Sequence, residues 1–393
     1  MTFEHTRRAC YAGYVTQAIV NNLAPLLFIV FQTRYDIAYE MLGRLVLLNF
    51  GTQLLTDLVA VKIVDRVGYR LPLVFAHVAC VAGLAMLALL PSALASPYLG
   101  LSIAVVVYGI GGGILEVLVS PLVDALPTPT EHKAAAMSLL HSFYCWGQVV
   151  VVLGTTVLLA RVGESAWTVL PLLWATIPFA NLFLFLRVPV PATIADERRT
   201  SLGALLKTPA FLAAMLLMTC AGATELTMSQ WSSLFAEQAL GLPKVAGDLA
   251  GPCLFAVLMG LGRFVYGLAG ERIPLVPAMV ACGALAIACY LAAALARAPW
   301  LSLAGCAVCG LAVSLLWPGT FSLTARRFPL GGGAMFAVLA TFGDLGAAVW
   351  PWLAGAIADA SGLRAGLLAG TAFPIAIVVT TLGFGARRRA RPA

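Results

Sequence analysis

Apolar residues recur along this chain in stretches of about twenty, the length a helix needs to cross roughly 30 Å of hydrocarbon. Twelve stretches stand out, near 9–31, 40–64, 71–90, 98–124, 134–160, 165–187, 208–239, 245–268, 275–296, 300–323, 333–358 and 364–385. None shows the short alternating segments of a barrel strand, so a spanning chain must satisfy its backbone polar groups within helices. The pattern predicts an all-α membrane protein with twelve transmembrane helices in two pseudo-symmetric six-helix bundles, both termini on one side. The first run is too long for a signal-peptide core and no small-residue cleavage pattern follows it, so it is expected to remain as the first helix.

The longest polar interruption, VPVPATIADERRTSLGALLKT, falls between the sixth and seventh runs. It predicts an N-terminal bundle over 1–187, a linker over 188–207 and a C-terminal bundle over 208–393. The halves are weakly similar, as in repeat-built transporters. Val61–Arg70, VKIVDRVGYR, is followed about 206 residues later by GLAGER, which lays Glu271 on Asp65 and Arg272 on Arg66. Ala135–Gly147, AAMSLLHSFYCWG, lies over Ala334–Gly346, AMFAVLATFGDLG, matching Phe143 to Phe342 and Gly147 to Gly346.

Composition excludes a soluble domain: of 393 residues, 61% are hydrophobic and 10% charged, with a mean hydropathy of +0.95. The net charge of +7 suggests an acidic or nucleic-acid partner until the positions of the basic residues are read. Seventeen of the 24 Lys and Arg fall on the side of the termini, six fall on the other, and Arg263 lies within a run. Such a bias makes that side cytoplasmic and the basic tail a topology signal, with no nucleic-acid partner expected. The expected location is the cell membrane, multi-pass, with the bilayer as a partner. Cys306 and Cys309 form a CxxC without a second pair or a nearby His, so packing is the expected role rather than zinc or redox chemistry, and no metal or cofactor is expected.

Charged and amide residues inside apolar runs are the candidates for chemistry, because a carboxylate at mid-membrane costs roughly 2.5 to 3.5 kcal/mol on insertion scales. Glu116 interrupts LSIAVVVYGIGGGILEVLVSPLV, Glu225 sits in ATELTMSQWSSLF and Asp344 in FGDLG. All three are candidate proton-coupling acids, since a carboxylate exposed to each side in turn can take up a proton and release it. Gln17, Asn21 and Asn22 put three amides on one face of the first span, as substrate contacts or as glue between helices. His141, Tyr144, Cys145 and Gln148 form a polar stripe on span five; amides and imidazole suit hydroxyls, and an aromatic ring suits the C–H face of a sugar. Glu225, Trp231 and Trp317 complete the expected substrate set, while Trp300 and Trp352 fit an interfacial belt. Asp57 and Arg263 occupy repeat-equivalent places with opposite sign, and each requires a partner because an unpaired buried charge is costly.

These segments carry a family resemblance. DRVGYR between spans two and three resembles the loop signature of the major facilitator superfamily, although Val61 stands where Gly is usual and Tyr69 where a basic residue is usual. GGGILEVLVSPLVDAL in span four and SLLWPGTFSLTARRF in span ten are similar to the fucose and glucose/galactose proton symporter branch, in which a Glu precedes a Pro in span four. The resemblance implies alternating access between two bundles. It places Asp65 near the N-terminus of span eleven and Glu271 near that of span five, where a helix end favours an anion. With Arg66, Arg70 and Arg272, and with Asp57 and Arg263, these are the candidate gate residues. Where the branch carries an acid in span one, this chain has Asn, which leaves Glu116 to act alone or with Glu225 or Asp344.

The resulting expectation is a secondary transporter, and no enzyme, moving a sugar or related polyhydroxy solute with protons, as a monomer. Drug/proton antiport and uncoupled facilitation are the alternatives within that class. No Walker loop is present to supply ATP. A membrane enzyme would show a constellation of His and acids at the water interface, and His5, His77, His132 and His141 form none; a sensor would carry a sizeable soluble domain.

Overall fold

In the computed structural model the chain forms two compact units, Met1–Ile194 and Ala195–Ala393. The structure describes residues 1–127, 130–191, 202–269, 273–328 and 332–389. Among them are twelve long helical rods, six in each unit. The first unit holds α1 (Phe3–Leu26 and Phe28–Tyr35), α2 (Tyr39–Val67), α3 (Arg70–Ala93), α4 (Pro97–Ala125), α5 (Thr130–Val162) and α6 (Val169–Arg187). The second holds α7 (Pro209–Gln238), α8 (Lys244–Asp248, Leu249–Cys253 and Leu254–Ala269), α9 (Leu275–Leu295), α10 (Pro299–Val313 and Leu316–Arg327), α11 (Gly332–Ser361) and α12 (Leu363–Gly370 and Ala372–Arg389). Each rod matches one predicted span, with ends displaced by up to six residues. Among the described residues ten helices are long and apolar enough to cross a membrane, and α1 makes an eleventh when its two segments count as one span bent by 40°.

Breaks follow proline. Pro25 has no N–H to give the carbonyl of Asn21, and α1 bends just beyond it. Pro252 lies in the widened π-type turn of α8, and Pro318 follows the interruption of α10 at Ser314–Leu315. Elsewhere local chemistry sets the ends. Ser96 Oγ accepts from the Leu99 N–H at 3.3 Å, with Pro97 in the first turn of α4. Gly68, at φ +72°, ends α2, so the helix runs through Asp65 and Arg66 rather than leaving them in a loop.

Both units pair their helices in the same order. In the first, α1 packs on α5, α2 on α4, and α3 on α4 and α6; in the second, α7 packs on α11, α8 on α10, and α9 on α10 and α12. The two glycines matched in sequence stand at equivalent crossings. A Cβ on Gly147 would lie 2.9 Å from Ala18 Cβ on α1, and a Cβ on Gly346 would lie 1.9 Å from the Thr219 carbonyl on α7. Close helix approach through small residues is how helices associate where no hydrophobic effect drives them together. Large apolar side chains point outward on many rods, among them Phe75, Phe179, Phe264 and Val379. In water such a surface would aggregate; against acyl chains it is matched.

Polar contacts close the helix ends. Arg70 donates to the carbonyls of Leu186 and Val188 at 2.9 and 2.7 Å, and Thr6 Oγ1 donates to the Pro189 carbonyl at 2.6 Å. The chain leaving α6 is thereby tied to the starts of α1 and α3. In the second unit Lys244 Nζ pairs with the buried Asp248 at 3.1 Å, and Asp248 also accepts from Ser233. Buried His77 joins three helices: one ring nitrogen meets the Leu73 carbonyl at 2.7 Å and the other meets Asn181 Nδ2 at 2.8 Å, which also donates to the Ala9 carbonyl.

Candidate functional site

The N-terminal unit gathers its polar side chains on α1, α2, α4 and α5. Gln17 Nε2 donates to Glu116 Oε2 at 2.6 Å, a short charge-assisted contact between α1 and α4 if the acid is ionised. One helical turn away on both helices, the Tyr14 and Ser120 hydroxyls meet at 2.7 Å, and Ser120 Oγ lies 3.3 Å from His141 Nε2 on α5. The Tyr14 ring meets the imidazole edge-on at 5.1 Å. Three elements thus converge because the i, i+3 spacing of Tyr14 and Gln17 matches the i, i+4 spacing of Ser120 and Glu116. Glu116, His141 and Tyr144 are half-buried; Gln17, Asn21 and Gln148 are buried.

Beside this pair of contacts lies a ladder of amides. Asn21 Oδ1 accepts from Asn49 Nδ2 at 3.1 Å and from Gln53 Nε2 at 2.8 Å, and Gln53 Nε2 also donates to Asn49 Oδ1 at 3.0 Å. Two donors fill the lone pairs of the Asn21 carbonyl, which leaves its N–H groups facing the Tyr144 hydroxyl at 3.5 Å. Asn22 turns instead to its own helix, donating to the Ala18 carbonyl at 2.9 Å. Asn49 and Gln53 were missed in the sequence. Their signal was there: in LNFGTQLLTDL, Asn49, Gln53 and Asp57 repeat at i, i+4 and i+8, one polar stripe on α2. The glycine run of α4 makes room for it. A Cβ on Gly112 would lie 3.1 Å from Gln53 Oε1, and a Cβ on Gly113 would lie 2.9 Å from Asp57 Oδ1.

In the C-terminal unit the two charges expected in different roles meet each other. Arg263 Nη2 lies 3.5 Å from Glu225 Oε2, and its Nε donates to the Ser314 carbonyl at 3.4 Å. A buried carboxylate and a guanidinium offset each other's desolvation. Arg263 therefore has its partner on α7, within its own unit. Asp344 is buried on α11, beside Gly343. The Trp317 ring lies against that glycine, where a Cβ would come 2.3 Å from Cη2, and its edge meets Phe321 at 6.4 Å. Trp231 is held in the packing of α7 on α11, its indole N–H donated to the Pro351 carbonyl at 3.0 Å. Trp350 packs on Phe373 of α12. Trp300 is exposed at the start of α10. The side chains of Asp65 and Arg66, and residues Glu271 and Arg272 altogether, lie outside the described residues. Cys306 and Cys309 are buried within α10.

Two like-paired six-helix units with polar and charged side chains inside define a polytopic membrane transport protein. Residues 10–253, more than half of the chain, match the family model described as Major Facilitator Superfamily, and the chain belongs to that superfamily. No curated protein matches it significantly. Among solved structures it is similar to a D-xylose-proton symporter, with TM-score 0.80, 14% identity, and 98% of this chain and 97% of that chain covered. It is also similar to a single-residue variant of the E. coli fucose:proton symporter, with TM-score 0.68 and 17% identity over 100% of both chains. A third is a Major Facilitator Superfamily transporter in the outward conformation, with TM-score 0.68, 16% identity, and 98% of this chain and 99% of that chain covered. At these identities the likeness is one of fold.

Proposed function

We propose that the protein is a proton-coupled symporter of a sugar or a related polyhydroxy solute, working by alternating access in the cell membrane with both termini cytoplasmic. Residues 1–187 and 208–393 are the two moving bundles, joined by 188–207, and the unit of function is the monomer. The observation that carries the reading is the contact between Gln17 and half-buried Glu116 beside the amide ladder and the Tyr14–Ser120–His141 chain. A neutral amide can donate to a carboxylate and, turned over, accept from a carboxylic acid, so this partner serves both protonation states of Glu116. Glu225 faces a guanidinium, which has only donors and serves the carboxylate alone. That difference supports Glu116 as the coupling acid and Glu225 as a fixed charge.

Within the first unit, Gln17, Asn21, His141, Tyr144 and Gln148 are the candidates to meet solute hydroxyls; within the second, Trp317 is the candidate for a ring contact. The sugar assignment draws on this mixture of groups and on the sugar–proton symporters that share the fold. In proteoliposomes under an imposed proton gradient, with D-xylose and fucose as first probes, the native protein should accumulate solute. Glu116→Gln should abolish accumulation while retaining exchange of labelled for unlabelled solute. A Glu116→Gln protein that still concentrates solute would sink the coupling assignment.

A further inference from the structure

The interruption of α10 leaves a backbone group in need of a partner. In an unbroken helix the Ser314 carbonyl would accept from the N–H of the residue four positions on, which is Pro318 and has none. α10 stops at Val313 and resumes at Leu316, while the Gly319 N–H bonds the Leu315 carbonyl at 2.8 Å. Arg263 Nε donates to the Ser314 carbonyl at 3.4 Å, so a side chain of α8 takes the role of the missing N–H. The same guanidinium, through Nη2, reaches Glu225 on α7 at 3.5 Å. A planar fork presents both donors from one rigid group. Gly262, the residue before Arg263, lets the helices come this close: a Cβ there would lie 2.4 Å from Ser314 Oγ. Three residues past Ser314, Trp317 is seated against Gly343 of α11.

We propose that Arg263 is a positioning residue, a strut that links the Glu225 carboxylate on α7 to the break in α10 and so sets where Trp317 stands. The solute contact given to Trp317 rests on the symport reading above; the strut itself does not. Movement of Glu225 would pass through Arg263 to the Ser314 carbonyl, and the segment carrying Trp317 would follow.

The test uses the full chain in detergent and reads the emission of Trp317 as the difference between each protein and its own Trp317→Phe counterpart. Arg263→Lys keeps a charge opposite Glu225 but replaces the fork by a single ammonium, and should shift this difference emission. Pro318→Ala restores the N–H that Ser314 lacks, so in that background Arg263→Lys should produce no further shift. Should the lysine variant fail to fold, Arg263→Gln combined with Glu225→Gln, which strands no charge, takes its place in both backgrounds. Unchanged emission on Arg263→Lys, or the same shift with and without Pro318, would overturn the strut. In proteoliposomes with D-xylose or fucose, KM should rise in Arg263→Lys while kcat holds. A native protein that moves neither sugar while the emission results stand would fault the functional reading and leave the strut intact.

Discussion

Each half of the chain holds a glutamate among its helices, on α4 in the first and on α7 in the second, and the two are held by opposite chemistry. Glu116 on α4 meets the neutral amide of Gln17 at 2.6 Å and is half-buried among groups that can donate or accept. Glu225 on α7 meets Arg263 at 3.5 Å in a more enclosed setting, and that arginine also holds a helix break. An ion pair of this kind fixes a charge and a geometry; an amide fixes a geometry and tolerates a change of charge. On the proposed reading, one unit carries the coupling acid and the other a mechanical joint. The glycines tell the same story. Gly112 on α4 faces the flexible end of the Gln53 side chain, whereas Gly346 on α11 faces backbone.

The sharpest way to break this contrast is to strand each acid in turn. Arg263→Leu leaves Glu225 buried without its cation and should lower stability by about 3 to 5 kcal/mol, seen as a large fall in the unfolding temperature in detergent. Adding Glu225→Gln to that variant should recover much of the loss. Gly346→Ala comes next, since its methyl has no room beside the Thr219 carbonyl; overpacking of this kind costs about 1 to 3 kcal/mol. Gly112→Ala, which meets the movable end of Gln53, should cost less in the same unfolding assay, and equal costs would erase the distinction between the two crossings. Smallest is Tyr14→Phe, which removes one hydroxyl contact with Ser120 and should cost about 0.5 to 1.5 kcal/mol. A Tyr14→Phe penalty as large as that of Arg263→Leu would show that the N-terminal cluster is no less rigid than the ion pair.

Much of the fold could be read from the chain. The twelve apolar runs coincide with twelve rods, because a bilayer sets the length of a crossing and apolar side chains mark it. Gly147 and Gly346 were paired by sequence offset and stand at equivalent crossings. The course of α2 was read less well: it continues through Asp65 and Arg66 to Gly68, since charged residues end an apolar run without ending a helix. Of the site, Gln17, Asn21, Glu116, His141 and Tyr144 were marked as candidates and do lie together. Asn49 and Gln53 were passed over because amides are common enough in helices to hide among Thr and Ser, although their spacing put them on one face with Asp57. Arg263 and Glu225 were marked for different tasks. Nothing in either helix says that the two face each other.

By itself the sequence determined the class of protein, the twelve helical rods with their approximate bounds, the weak repeat and the faces on which polar residues lie. Those properties follow from the hydrophobic length and the helical period, and both are local. Tertiary structure alone decided the partnerships: Gln17 with Glu116 across 99 residues, Glu225 with Arg263 across 38, and Arg263 with the carbonyl that Pro318 leaves open. A helical period says which way a side chain points but not which helix stands there. In a membrane, where the apolar surroundings give little to choose between neighbours, that choice falls to close-packed glycines and to the polar groups themselves.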